Sequence, residues 1–315
     1  MPVALAKITP DLFPDLYQEM LRDWNPAIGE ESWRRAFINP ATSGDDGGYV
    51  LTDGGRIVGM LGTIFSQRQI NGHERTFCNL HSWRVKPEYR GKGLLLLRPI
   101  QGLSDVTCTD LTPSHEIIPI MTRLGFSRLD RSATVLPPSP WRRHSRDVTI
   151  QELTEPAEHY RGELSPADLR IYEDHRSLDC RHLLVRTAGQ SCYLVASCIA
   201  QGWLSHWYVH YISDVPRFAA NHLAIRAHLT RGCAQSFVVV DSRLLGETRV
   251  PFACRIRSTE KLYRSRDVAP RDIDGLYSEQ VILKHSSLLS WRMQLHARIG
   301  RHTPHAVRRF LQSTQ

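Results

Sequence analysis

No apolar run in this chain approaches the roughly 20 residues that a bilayer-spanning helix needs. The first residues, Met1 to Lys7, lack a charged segment followed by an apolar core, so no secretory leader is expected. The seven Cys residues are odd in number and scattered. No CxxC pair and no Cys/His spacing of a zinc module occurs, which points to reduced thiols, a cytoplasmic location and no metal. A Gly-x-Ser-x-Gly elbow is also missing, so serine-hydrolase chemistry has no support. Acidic residues are absent from Lys284 to Gln315, while Lys284, Arg292, Arg298, Arg301, Arg308 and Arg309 give that stretch +6 of the net +8. The remaining body is nearly neutral, which argues against a general nucleic-acid-binding surface.

What is present fits a globular protein: 315 residues, enough for two ordinary domains, with 41% hydrophobic residues. The most informative stretch is Trp83-Arg84-Val85-Lys86-Pro87-Glu88-Tyr89-Arg90-Gly91-Lys92-Gly93-Leu94. It reads as a strand, a short basic loop, and an apolar helix from Leu94 to about Gln101. A strand entering a helix through such a loop points several backbone N–H groups at one spot. The helix dipole, Arg90 and Lys92 add positive potential there. Gly91 and Gly93 lack a Cβ, so an anion can come close to the backbone. The pattern predicts a pyrophosphate cradle.

These residues resemble the acyl-CoA-binding signature of the GNAT acyltransferase superfamily, Gln/Arg-x-x-Gly-x-Gly/Ala after a strand ending Val-x-Pro-Glu-x. Arg90, Gly91, Lys92 and Gly93 stand where the resemblance requires, after Val85 and Pro87-Glu88-Tyr89. Leu95 departs from it, standing where the family usually has Gly or Ala. The flanking order agrees. Gly48 to Thr52, Arg56 to Gln69 and Arg75 to Val85 read as strands joined at Asp53-Gly54-Gly55 and Asn71-Gly72-His73. Downstream follow a strand from Val106 to Leu111, a helix from Pro113 to Leu124, then Gly125-Phe126 and another strand. The resemblance covers about residues 3 to 136. It implies that Trp83, Arg84, Val85, Arg90, Gly91, Lys92, Gly93, Leu94 and Leu95 hold acetyl-CoA or another acyl-CoA as co-substrate.

A second lobe is expected after the Pro-rich stretch Pro137-Pro138-Ser139-Pro140. Its strands are read at Val148 to Gln151, Leu183 to Thr187, Cys192 to Ala200, Trp203 to Ser213, Ser236 to Asp241 and Gly275 to Leu283. Helices are read from Ser165 to His175 and from Phe218 to Arg231. This order looks like a divergent second GNAT lobe; an unrelated α+β domain is the alternative. At the place of the phosphate loop stands Ile212-Ser213-Asp214-Val215-Pro216-Arg217, without Gly and with an acid that repels phosphate. The expected fold is therefore α/β, with mixed, mostly antiparallel central sheets, flanking helices and tandem GNAT-like lobes. The division is 1–138 for the acyl-CoA-binding domain, 139–145 for the linker, 146–284 for the divergent lobe and 285–315 for a basic helical tail.

The family's chemistry is attack of an amine or hydroxyl of a small acceptor, such as an amino sugar or amino acid, on an acyl thioester. A base must take the amine's proton, and the departing thiolate benefits from an acid. On the strand before Val85, residues 79, 81, 83 and 85 are expected to share a face. That makes His81 and Asn79 the candidate catalytic residues, His81 as base. The alternative reading of His81 is a half-buried His satisfied by a neighbour. The family's usual acid, a Tyr, is replaced by Met121, and its frequent Asn by Ser114. Cys108, Thr109, Asp110 and Ser114 lie near the splay and read first as structural. These departures leave a rival reading, a non-catalytic acyl-CoA-binding or scaffold protein. His206, Tyr208 and His210 share a strand face and read first as core. In the tail, Leu288, Trp291, Leu295 and Ile299 form one apolar helix side. That side either packs on the second lobe, or the tail meets an anionic membrane surface or a phosphate-bearing acceptor.

Overall fold

Two tight hairpins organise the first sheet. The computed structural model describes residues 3–38, 47–138, 147–187, 189–201, 204–231, 236–285 and 288. Strand β1 (Ala4–Lys7) pairs with β2 (Gly48–Asp53), which pairs with β3 (Arg56–Ile70) and then β4 (His73–Val85), all antiparallel. Gly54 and Gly55 join β2 to β3, and Asn71 and Gly72 join β3 to β4; all four have positive φ. Positive φ at both central residues gives the turn twist that matches paired strands, which is why Gly-Gly and Asn-Gly stand there. β5 (Val106–Asp110) then runs parallel to β4. Helices α1 (Phe13–Leu16) and α2 (Glu30–Phe37) lie on one face, with Phe13, Trp33 and Phe37 fully buried. On the other face lie α3 (Arg98–Gln101) and α4 (Ile118–Arg123).

The second sheet repeats this plan. β8 (Val148–Glu152), β9 (Arg181–Thr187), β10 (Gln190–Gln201) and β11 (Leu204–Ile212) are antiparallel neighbours, and β12 (Ser236–Asp241) runs parallel to β11. Its helices are α5 (Pro166–His175), α6 (Val215–Ala220), α7 (His222–Leu229) and α8 (Ser242–Leu245). The chain is a mixed α/β protein of two mostly antiparallel sheets with flanking helices, as its sequence predicts.

The boundary at residue 138 does not divide the sheets. β6 (Ser127–Arg128) stays in the first, but β7 (Ser132–Leu136) pairs with β12 in the second. Reciprocally, β13 (Cys254–Arg257) pairs with β7, while β14 (Leu262–Arg264) returns between β5 and β6. Each sheet thus takes a strand from the other half of the chain. A buried cluster of Ile64, Leu153, Tyr172, Tyr193, Leu276 and Tyr277 joins the halves further.

Two other expectations change. Residues 275–283 are not a strand: Ser278 caps α9 (Glu279–Ile282), a single helical turn. The helix read across 218–231 breaks at Asn221 into α6 and α7. The linker 139–145, Trp203 and most of the 285–315 tail lie outside the described residues. Among the described residues no helix is long and apolar enough to cross a membrane.

Candidate active site

Strand β4 carries the irregularity on which the site is built. Gly62 lies opposite His81 and Met60 opposite Arg84, so Leu61 faces two residues, Ser82 and Trp83. Ser82 takes φ +53°, a region that side chains enter at some cost. An extra residue in a strand of period two reverses the side that later residues face. Cys78 and Leu80 before the bulge, and Trp83 and Val85 after it, therefore join one apolar cluster. Asn79 and His81 point to the opposite side. The expectation that 79, 81, 83 and 85 share a face fails because of this bulge.

β4 and β5 pair only from Thr76 to Asn79 and Val106 to Thr109. Beyond that point lies a cavity of about 120 Å³. Its walls are His81, Ser82 and Trp83 from β4, Asp110 at the end of β5, and Thr112 and Ser114 after it. Met121 of α4, Trp24, the apolar Leu61, Leu80, Pro113 and Ile117, and Glu279 and His285 from the other half of the chain complete the lining. A larger cleft of about 420 Å³ near Arg68, Arg170 and Tyr277 lies elsewhere between the halves. There Arg68 and Asp274 neutralise each other at 2.5 Å, so the smaller cavity holds the more reactive set.

Glu279 enters through two hydrogen bonds. Asn79 Nδ2 donates to its Oε2 at 2.5 Å, and Thr112 Oγ1 donates to its Oε1 at 2.7 Å. Thr109 Oγ1 donates to Asn79 Oδ1 at 3.0 Å, which fixes the amide. Asn79 is thus occupied in holding a carboxylate. Asp110 lies beside this carboxylate and accepts from the Thr112 N–H at 3.3 Å. Burial, and then the charge of Glu279, push the Asp110 pKa well above the usual carboxylate range.

His81 is 4% exposed, packed against Phe37 with ring centroids 4.9 Å apart. A Cβ at position 62 would stand 2.2 Å from the ring, so Gly62 is what admits this imidazole. His81 Nδ1 lies 3.0 Å from Ser82 Oγ, and Nε2 has no hydrogen-bond partner. Burial, then His285, hold its pKa down at about 3; the Ala36 carbonyl acts the other way without closing a hydrogen bond to Nε2. The ring is neutral at working pH and a weak proton acceptor.

The basic loop is more tightly wound than the sequence predicts. Pro87–Leu97 is 3₁₀-helical, and only Arg98–Gln101 is α-helical. Pro99 is the reason. An α-helix across 94–101 needs an N–H at 99 to meet the Leu95 carbonyl, and Pro has none. Instead the Arg98 N–H meets Leu95 O one residue earlier. Arg90, Gly91 and Lys92 are exposed, and neither basic side chain has an ion-pair partner among the described residues. Gly91 has open space around it, whereas a Cβ on Gly93 would stand 3.3 Å from Val85 Cγ2. Leu94 is exposed, and Leu95 packs partly into the core. Trp83, Arg84 and Val85 lead into this turn, with Arg84 Nη1 donating to the Met20 carbonyl at 2.5 Å.

In the second lobe Asp214 fills the corresponding place. Its Oδ1 accepts from the Arg217 N–H at 2.8 Å, and its carboxylate pairs with the Arg217 side chain at 3.2 Å. That N–H is taken by the chain's own acid. His206 and His210 are fully buried; His210 Nε2 lies 2.7 Å from Ser197 Oγ, and His206 stacks on Phe237. Met121 is fully buried and offers no proton. The Cys108 thiol is lowered by a hydrogen bond with Cys78 and, against its burial, by Arg264, yet it is fully buried and lines no described cavity. Glu279, Thr112 and His285 were not legible as site residues: Thr112 follows β5 directly, and Glu279 and His285 meet it through the return of the chain past β14.

Residues 13–94 match the model of the Acetyltransferase (GNAT) family. No curated protein matches the chain. Among solved structures, it is similar to a GCN5-related N-acetyltransferase from Kribbella flavida at 17% identity, over 84% of this chain and 71% of that one, with TM-score 0.53. A probable N-acyltransferase from Enterococcus faecalis V583 is similar at 14% identity, over 84% and 73%, with TM-score 0.55. A putative acetyltransferase from Pyrococcus horikoshii is similar at 15% identity, over 87% and 93%, with TM-score 0.53. At these identities the likeness is one of fold.

Proposed function

From the premise that residues 13–94 form a GNAT-family domain, we propose that the first lobe transfers an acyl group from acyl-CoA to the amine of a small acceptor. The observation that carries this reading is the juxtaposition at β4. A basic turn carrying exposed Arg90 and Lys92 follows the strand, and a mostly apolar cavity with Asp110 and Glu279 in its wall opens where β4 leaves β5. In this reading the pyrophosphate meets the N–H groups of residues 90–95, and the acyl group lies along Trp83 to Val85 at the bulge. Backbone N–H groups there polarise the thioester carbonyl. Asn79 positions Glu279, and neutral His81 orients the acceptor. The acceptor is a small polar amine, in the class of amino sugars and amino acids. The second lobe binds no CoA, because Asp214 occupies the anion position.

The experiment is calorimetric titration with acetyl-CoA beside thiol release in the presence of amines. Gly93→Asp should abolish acetyl-CoA binding, since it adds a carboxylate at the pyrophosphate and crowds Val85. Unchanged affinity in a folded Gly93→Asp protein would sink the reading. Met121 favours a second reading, acyl-CoA binding without transfer, because the position of the expected acid holds a buried thioether. Single-turnover acyl transfer separates the two.

A further inference from the structure

We propose that the outer edge of the second sheet, from Arg249 to Arg257, docks the protein on an anionic membrane surface, with Phe252 entering the headgroup layer. β13 is the edge strand of that sheet, beside β7. Arg255 and Arg257 alternate along it and share one face. Ile256 between them packs the other way, with Ala133, Tyr208 and Val239. Arg249, in the loop before β13, lines one cleft together with Arg255. All three Arg residues are exposed, and none has an ion-pair partner among the described residues. Across residues 246–257 they stand against one acid, Glu247.

Charged side chains on an edge strand can serve simply to keep other strands from pairing there. Two further observations exceed that role. Phe252 lies within the same basic stretch and is 77% exposed, the largest exposure of any large hydrophobic residue described. Its backbone takes φ +59°, a region costly to any residue with a side chain. Val250 and Ala253 on either side of it pack into the core of the second lobe. The loop is thus anchored at both flanks while its ring is held in water, where apolar area is unfavourable. The second observation is where the chain leads. Leu288 is bridged to Ser258, one residue beyond Arg257. The sequence after Leu288 carries Arg292, Arg298, Arg301, Arg308 and Arg309 and no acidic residue.

An anionic bilayer matches both parts of this surface. Its negative potential attracts Arg within a Debye length, and its headgroup–acyl boundary accepts an aromatic ring. Single-stranded nucleic acid would meet the same charges, but it is held by a series of stacking rings, and this loop presents one. The surface belongs to the second sheet, whereas the basic turn at Arg90 and Lys92 follows β4 of the first. Docking and acyl-CoA binding are therefore separable.

The test is sedimentation of the full chain with phosphatidylcholine vesicles, with and without phosphatidylserine, at low and high salt. Binding should require phosphatidylserine and fall at high salt. Each Arg near an anionic surface contributes about fivefold in affinity, so replacing Arg249, Arg255 and Arg257 together by Gln should weaken binding about a hundredfold. Phe252→Ser should weaken it about tenfold. Acetyl-CoA affinity should be unchanged in both variants. No binding of wild type to phosphatidylserine vesicles at low salt would overturn the proposal and leave the Arg residues as edge guards. Binding of the triple variant within about threefold of wild type would also overturn it, as would unchanged binding by Phe252→Ser. Tighter binding of a single-stranded oligonucleotide, lost in the triple variant, would overturn it in favour of nucleic acid. If the triple variant does not fold, Arg255→Gln decides through its fivefold loss.

Discussion

Asp110 and Asp241 hold like positions in the two sheets and have opposite surroundings. Each is the residue after the last parallel pair of its sheet, Asn79 with Thr109 in one and Val209 with Val240 in the other. Both are buried. Asp241 is met by Lys261 Nζ at 2.5 Å and Arg243 Nη2 at 2.7 Å. Those cations outweigh its burial and hold its pKa below the ordinary range. Asp110 has an anion for a neighbour and is raised. The second lobe has closed its charges on itself, and the first has left a charge open beside a cavity. The turns after the two strands differ in the same sense: Asp214 pairs with Arg217 in one, and Arg90 and Lys92 have no ion-pair partner among the described residues in the other. Perturbed acids left without a cation are the pattern expected where chemistry occurs.

The largest expected effect comes from opening the closed pair. Lys261→Met leaves Asp241 with Arg243 alone and the Tyr208 hydroxyl without its 3.1 Å partner. Breaking one side of a buried pair costs about 3–5 kcal/mol. Denaturant unfolding should show that loss, and adding Asp241→Asn should recover much of it. A loss under about 1 kcal/mol would mean that Arg243 suffices and that the contrast between the two Asp residues is weaker than drawn.

A smaller effect separates the halves by pH. The second half buries His175 and His210, held at about 3, and His182 and His206, held at about 4, in each case chiefly by burial. The unfolded chain binds these protons near pH 6.5, so it holds more of them between pH 6.5 and 4. Their stabilisation is present above about pH 6.5 and is lost as pH falls toward the folded values. Each contributes on the order of 2–3 kcal/mol by pH 4. His210→Gln should flatten the fall of thermal stability with acid by about that amount. An unchanged slope would show that water reaches this histidine.

Next is the anion position. Arg90→Ala should weaken acetyl-CoA binding by about 1–3 kcal/mol, the range of a charge-assisted hydrogen bond. Asp214→Ala in the second lobe should leave that affinity alone and cost about 1 kcal/mol of stability, as the loss of a helix cap does. Calorimetry on both variants checks the assignment of CoA to one lobe.

The sheets were legible where local chemistry decides them. Asn71-Gly72 and Gly54-Gly55 announce their hairpins, and the strands between them fall within a residue or two of expectation. Three features were not local. The exchange of β7 and β14 depends on which sheet edge is nearer, and nothing in Ser132–Leu136 records it. The bulge at Ser82 places a residue without glycine's freedom at φ +53°, so period-two reading runs straight past it. Glu279 reaches Asn79 across two hundred residues of chain, in a segment whose apolar run looks like a strand. The basic turn was legible because its residues are contiguous; the lining of the cavity was not, because Asp110 and Glu279 meet only in space.

The smallest effect concerns the stability that an open charge costs. The folded Asp110 pKa is raised, by burial first and Glu279 second. A carboxyl raised in the folded state contributes stability that is fully present below its unfolded pKa near 3.9 and is lost as pH rises through the folded value. Asp110→Asn removes the ionisation and keeps the shape, while the Thr112 N–H retains an oxygen to meet. The variant should therefore be more stable than wild type at pH 8, by about 1 kcal/mol, and no more stable at pH 4. Asp241→Asn should behave oppositely, losing stability at pH 8 because Lys261 and Arg243 lose their counter-charge. Thermal melts of both variants at the two pH values check the pair of signs. If Asp110→Asn destabilises the chain at pH 8, the carboxylate is compensated within the fold, and the open-charge contrast with Asp241 fails.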